Sequence, residues 1–241
     1  CFEEFADRVA ELVEKHVNIN RLLELTKPVA TAVVPISAGR HIYKREPSFP
    51  IAVACDPAFN FVYEANIRYL HHLGEVTYFS PLADTSLPDA GFVYLPGGYP
   101  ELYLAALSAN RQMLQSIRRY VESGGKLLAE CGGMMYLCDE IRDKNGYVYP
   151  MAGVLHQSAT MENMKLRLGY RTLLYNETRL KGHEFHYSRL VEQQNPLPSC
   201  AVAYTAKGVE TDTPLYHYKN VWAGYTHLYW ADPVGNEWFT K

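Results

Sequence analysis

Long apolar runs are absent from this 241-residue chain. No stretch reaches the roughly 18 residues that a membrane span needs, and the first residues lack the apolar core of a signal peptide. Excess positive charge is absent too: 23 Lys and Arg stand against 26 Asp and Glu, for a net charge of -3. Sequence-independent binding to nucleic acid phosphates wants the opposite balance, so nucleic acid is not an expected partner. Cysteine is scarce, and its five positions (Cys1, Cys55, Cys131, Cys138, Cys200) form no C-x-x-C pair. A disulfide framework or zinc knuckle is therefore not expected, and a reducing cytoplasm fits this usage. No internal repeat or low-complexity segment is visible.

With 48% hydrophobic and 20% charged residues, the chain has the composition of an ordinary globular domain. Residues 1–25 place Phe2, Phe5, Val9, Leu12, Val13 and Val17 at helical spacing. Pro28, Pro35, Pro47 and Pro50 then break up a polar stretch that reads as a linker. The first residue is Cys1 rather than Met, so the chain reads as a piece of a larger protein. On this reading 1–46 is the tail of a preceding domain with its connection, and 47–241 is the principal domain.

From residue 51 the pattern is β, α, β, β, α, β. Ile51 to Cys55, Glu75 to Ser80, Phe92 to Leu95 and Lys126 to Glu130 read as strands. Asn60 to Leu73 and 110–123 read as helices, closed by Gly74 and by Gly124-Gly125. Apolar strands alternating with amphipathic helices predict an α/β fold, a mostly parallel sheet with helices on both faces. Beyond 146 the sequence turns tyrosine-rich and β-prone. These segments are expected to extend the sheet and wall one edge of the site.

The richest segment is Leu127-Leu128-Ala129-Glu130-Cys131-Gly132-Gly133-Met134. A buried strand runs into a cysteine, two glycines permit a tight turn, and an apolar helix starts. A thiol there is a candidate nucleophile, and a helix N-terminus should lower its pKa from about 8.5. An arbitrary cysteine is more often a core residue; this context reverses that expectation. A second glycine turn, Pro96-Gly97-Gly98-Tyr99-Pro100-Glu101, also follows a strand. Backbone N–H groups at such strand ends face the ligand crevice. Those of Gly98 and Gly132 are the candidates to hold the oxyanion of a tetrahedral intermediate. A base must serve the thiol. The segment Gly182-His183-Glu184-Phe185-His186 carries H-E-x-H, one residue short of the zinc protease H-E-x-x-H, so no metal is expected. Spacing leaves His186 and His227 both open as the base.

The Asp56-Pro57-Ala58-Phe59 turn and Ser80-Pro81-Leu82 precede the two glycine turns. Gly182-His183-Glu184-Phe185-His186-Tyr187-Ser188 and Tyr225-Thr226-His227-Leu228 follow them. In that order these motifs resemble the cobyrinic acid a,c-diamide synthases, over about residues 47–232. The resemblance implies a class I glutamine amidotransferase-like fold, with Cys131 as nucleophile and His227 as base. It implies a glutamine-hydrolysing carbon-nitrogen ligase of cobalamin biosynthesis, in which released ammonia amidates the a and c carboxylates of cobyrinic acid. The expected partners are glutamine, cobyrinic acid or a related tetrapyrrole, and an N-terminal ATP-binding domain; a homodimer is compatible with the pattern. This chain has no G-x-x-x-x-G-K-[ST] signature, so ATP and Mg2+ are expected in that other domain and no cofactor in this chain. Broader class I glutaminases place a Glu two residues after the histidine, where this chain has Tyr229. Asp56, Glu101, Glu130 and Glu184 are the candidates to orient the histidine instead, and Glu184 and His186 to act on the acceptor side. Two other readings stay open: another cysteine hydrolase on the same scaffold, or a catalytically silent tetrapyrrole-binding module.

Overall fold

Residues 2–26, 49–194 and 196–230 are described by the computed structural model. The chain divides into two compact units, Cys1–Tyr43 and Lys44–Lys241. In the first, α1 (Phe2–His16) opens with Glu3 and Glu4 and closes with Lys15 and His16, charges that suit the helix dipole. In α2 (Ile19–Leu25), the Asn18 side chain caps the start by accepting from the Arg21 N–H at 2.9 Å. Neither helix has a buried residue, and Phe2, Phe5 and Leu12 lie exposed along α1. The proline-broken linker and its boundary at 46 lie outside the described residues.

The second unit begins with β1 (Pro50–Ala54), α3 (Glu64–Leu73), β2 (Glu75–Phe79) and β3 (Phe92–Leu95). Next come α4 (Leu104–Ala109), α5 (Arg111–Glu122), β4 (Lys126–Glu130) and α6 (Gly132–Leu137). Three short strands follow: β5 (Glu140–Arg142), β6 (Val148–Pro150) and β7 (Ser158–Thr160). A long hairpin of β8 (Arg167–Tyr175) and β9 (Thr178–His186) leads to β10 (Arg189–Leu190). The last strands are β11 (Val202–Thr205), β12 (Glu210–Thr211), β13 (Leu215–Tyr218), β14 (Val221–Gly224) and β15 (His227–Leu228).

The central sheet has the order β13-β14-β4-β3-β1-β2 and is parallel except for the edge strand β13. Alternation along its strands feeds two cores. Ala52, Val93, Leu127 and Ala223 pack with Met113, Ile117 and Val121 of α5. Ile51, Val53, Tyr94, Leu128 and Trp222 pack with Leu70 of α3 and with Leu173, Leu180 and Ala203. The last three belong to a five-stranded antiparallel sheet, β12-β11-β8-β9-β15, so a second sheet shares the α3 face.

The tyrosine-rich segments therefore do not simply extend the central sheet. Only β13 and β14 join it; β5, β6, β7 and β10 form a four-stranded sheet and the rest build the antiparallel one. The helix expected from Asn60 starts at Glu64, because the Phe61 N–H bonds the Gly97 carbonyl at 3.0 Å and holds that segment extended. That bridge brings an aromatic ring to the glycine turn.

Candidate functional site

At the end of β4 the backbone turns sharply. Cys131 has φ 47 and ψ -104, in a region that residues with a side chain rarely enter. Such strain costs on the order of 1–3 kcal/mol and survives only where the surroundings impose it. Here the Cys131 N–H donates to the Gly224 carbonyl at 2.8 Å, and the Met135 N–H donates to the Cys131 carbonyl at 2.9 Å. The Gly133 N–H donates to the Pro96 carbonyl at 3.1 Å, which locks the two glycine turns together. A Cβ on Gly133 would lie 2.2 Å from the Leu95 carbonyl oxygen, so only glycine permits this approach. A Cβ on Gly132 would lie 3.2 Å from the Gly98 nitrogen, so the two glycine turns that carry the candidate oxyanion donors approach closely.

A cavity of about 290 Å³ opens above this junction. Phe61, Gly98, Tyr99, Cys131, His183, Phe185 and His227 line it. His227 lies on β15, which pairs with β9 so that His227 faces His183. The two imidazoles stack with centroids 5.0 Å apart and planes at 21°, and the Phe61 ring meets His227 edge-on at 4.5 Å. On its far side His183 shares a 2.5 Å hydrogen bond between Nδ1 and the Tyr63 hydroxyl. A Cβ on Gly97 would lie 2.2 Å from His227 Cε1, so the ring rests directly on the glycine turn.

Electrostatics keep both groups neutral. Burial, then the charge of Glu101, pushes the Cys131 thiol up to about 12, against a smaller opposing hydrogen bond from the Gly132 N–H. The expectation of a lowered thiol pKa is therefore overturned. A six-residue helix offers little dipole, and removal from water outweighs it. Burial, with the neighbouring His183 and His186, brings His227 down to about 3.

Parity along β9 sorts the remaining candidates. Leu180, Gly182, Glu184 and His186 are buried on one face, whereas His183 and Phe185 project from the other toward the cavity. His186 stacks on Tyr225 at 3.8 Å and 7°, and its Nδ1–H donates to the Ser188 carbonyl at 2.9 Å. Glu184 meets the Arg171 guanidinium at 2.7 Å, a close ion contact without hydrogen-bond alignment. Neither lines the cavity with Cys131. Strand parity was the sequence signal that separates His183 from His186, three residues apart, and spacing alone passed over His183.

No side chain takes the third place of a triad: His227 Nδ1 is buried with no hydrogen-bond partner among the described residues. Asp56 has both oxygens engaged, Oδ1 accepting from the Ala58 and Phe59 N–H groups of its own turn and Oδ2 from the Ser80 hydroxyl and the Leu82 N–H. Glu130 accepts from the Tyr94 hydroxyl at 2.7 Å and from the Leu228 N–H at 3.1 Å.

A mostly parallel sheet with a cysteine elbow facing a histidine defines a class I glutamine amidotransferase-like protein. Its fold is shared with PurLQS from Thermotoga maritima, at a TM-score of 0.52 and 18% identity over 74% of this chain and 86% of that one. At that identity the likeness is one of fold. The chain belongs to the CobB/CobQ-like glutamine amidotransferase domain family, whose model matches residues 50–234. It is similar to the cobyrinate a,c-diamide synthase of Picrophilus torridus, 37% identical over 92% of this chain and 49% of that protein. It is also similar to the hydrogenobyrinate a,c-diamide synthase of Pseudomonas aeruginosa, 40% identical over 74% of this chain and 41% of that protein. The chain thus spans about half the length of the curated relatives it matches. Among the described residues no helix is long and apolar enough to cross a membrane.

Proposed function

We propose that this chain hydrolyses glutamine at Cys131 and is the glutaminase part of a cobyrinate a,c-diamide synthase. The observation that carries the reading is the meeting of Cys131 and His227 in one cavity, which Gly98 also lines, with Gly132 packed close to Gly98. A thiol near 12 and an imidazole near 3 form no resting ion pair. Proton transfer from Sγ to the imidazole therefore accompanies attack on the glutamine amide carbon rather than preceding it. The carbonyl oxygen takes the negative charge and accepts from the Gly98 and Gly132 N–H groups. The imidazolium then gives its proton to the amide nitrogen, the C–N bond breaks, and ammonia leaves a glutamyl thioester on Cys131. Water adds to the thioester with its proton passing to His227. Collapse returns the thiol and releases glutamate.

In the whole enzyme, ammonia would meet acyl phosphates made from the a and c carboxylates with ATP and Mg2+ in an N-terminal ATP-binding domain. No residue of this chain is assigned to that chemistry. Residues 1–46 would end that domain; the exposed apolar stripe of α1 supports this part of the reading. The test is Cys131→Ala in the full-length protein. Glutamine-dependent amidation and glutamine hydrolysis should both disappear while amidation from free ammonia persists. Hydrolysis at the wild-type rate would sink the assignment.

A further inference from the structure

Glu130 stands one residue before the nucleophile, is 2% exposed, and takes no direct part in the chemistry described above. Among the described residues no ammonium or guanidinium group pairs with it. Burial pushes its carboxyl up to about 8, opposed by the hydrogen bonds from Tyr94 and Leu228. A buried acid without a cation is costly, so a sequence that keeps one draws some return from it.

The return lies in β15. That strand is two residues long and, among the described residues, pairs on one side, with His183 and Gly182 of β9. One further backbone bond, from the Tyr229 N–H to the Lys181 carbonyl at 2.8 Å, continues that pairing, still a short anchor for a ring that must be placed accurately. The free edge is held by side chains instead. Glu130 Oε1 accepts from the Leu228 N–H at 3.1 Å, Asn66 Nδ2 donates to the Leu228 carbonyl at 2.7 Å, and the Trp230 N–H donates to Asn66 Oδ1 at 2.8 Å. The other oxygen, Glu130 Oε2, accepts from the Tyr94 hydroxyl at 2.7 Å and is thereby tied to β3. One carboxyl thus spans β3, β4 and β15. Its own backbone adjoins Cys131, and the main chain it grips adjoins His227.

We propose that Glu130 is the positioning residue of this site. It does through the Leu228 main chain what a carboxylate on the imidazole does in a triad, and so sets the distance from base to nucleophile. This rests on the assignment of Cys131 and His227 as the reacting pair.

Steady-state glutamine hydrolysis by the full-length protein tests it, with Glu130→Ala, Glu130→Gln, Tyr94→Phe and Cys131→Ala compared. Glu130→Ala should lower kcat about 10–100-fold, the cost of an ångström-scale misplacement. KM should stay within about twofold, because the lost interaction places the base and does not bind substrate. Glu130→Gln should stay within about threefold of wild type, since its amide oxygen accepts from the Leu228 N–H and its amide N–H donates to the Tyr94 oxygen. An unchanged kcat in Glu130→Ala, or a Glu130→Gln loss as deep as that of Glu130→Ala, would overturn the proposal. Should Glu130→Ala not fold, Tyr94→Phe decides: it frees one carboxyl oxygen, and a kcat equal to wild type overturns the clamp. A silent Cys131→Ala beside a fully active Glu130→Ala refutes the clamp alone, whereas an active Cys131→Ala refutes the nucleophile and the clamp together.

Discussion

Cys131 follows a strand paired on both sides, β4 matching β3 from Lys126 to Ala129 and β14 from Leu127 to Glu130. His227 sits on a strand of two residues paired on one side. Backbone hydrogen bonds and glycine contacts hold Cys131 at its strained φ. Beyond its short backbone pairing with β9, His227 is held by side chains: Glu130 and Asn66 on the main chain, Phe61 and His183 on the ring. A position written into a sheet is hard to shift by single substitutions. One written into side chains can be retuned residue by residue, at the cost of sensitivity to each.

The largest effect that sharpens this contrast should come from the base itself. His227→Ala should slow glutamine hydrolysis about 10²-fold or more, the usual range for a positioned general base. His186→Ala, compared where both variants remain folded, should slow it far less, because His186 packs behind Tyr225 and away from the cavity. Equal losses would mean that the two faces of β9 are not functionally separate.

A smaller, paired effect is expected from two glycines. A Cβ on Gly133 would lie 2.2 Å from the Leu95 carbonyl oxygen, and one on Gly182 would lie 2.2 Å from the His227 carbonyl oxygen. Gly133→Ala strains the continuous sheet and should lower unfolding stability by about 1–3 kcal/mol, as overpacking does. Gly182→Ala can relieve its clash by displacing the short β15, so it should cost less stability and more kcat. Denaturant unfolding and turnover measured on both variants decide; the reverse ranking breaks the comparison.

The smallest effect is a pH slope. The native protein holds His227 neutral down to about 3, whereas an unfolded histidine takes a proton near 6.5. The unfolded state therefore binds more protons between those values. This contribution to stability is complete above pH 6.5 and is lost as pH falls toward 3. His227→Gln should make the acid limb of stability against pH shallower below 6.5. A limb of unchanged steepness would place the acid sensitivity elsewhere.

The nucleophile side was the more legible in sequence for the same reason that it is rigid. Strands of a parallel sheet are buried on both faces and read as unbroken apolar runs, as in Phe92 to Leu95 and Leu127 to Ala129. The glycine turns mark their ends. The histidine side was harder. A strand of two residues has no period, and spacing could not choose between His186 and His227; the family resemblance did. His183 was passed over because the faces of β9 become distinct only once the second sheet is known. α4, with six residues, is too short to show a helical repeat, and the start of α3 was misplaced because the Phe61–Gly97 bridge is a long-range contact.

Cys131, a residue 5% exposed whose thiol keeps its proton up to about 12, offers almost no thiolate to water. Peroxides and alkylating agents react with thiolate in proportion to its exposure. Among the described cysteines Cys55 is exposed and Cys131 buried, so an oxidant should reach Cys55 ahead of Cys131. On the mechanism proposed above, a molecule that fills the cavity and draws the proton onto His227 is what would make the sulfur reactive. On the proposed mechanism, shape complementary to glutamine, more than reagent strength, should govern which electrophiles inactivate it, and oxidative damage to Cys131 should be confined to the interval of turnover.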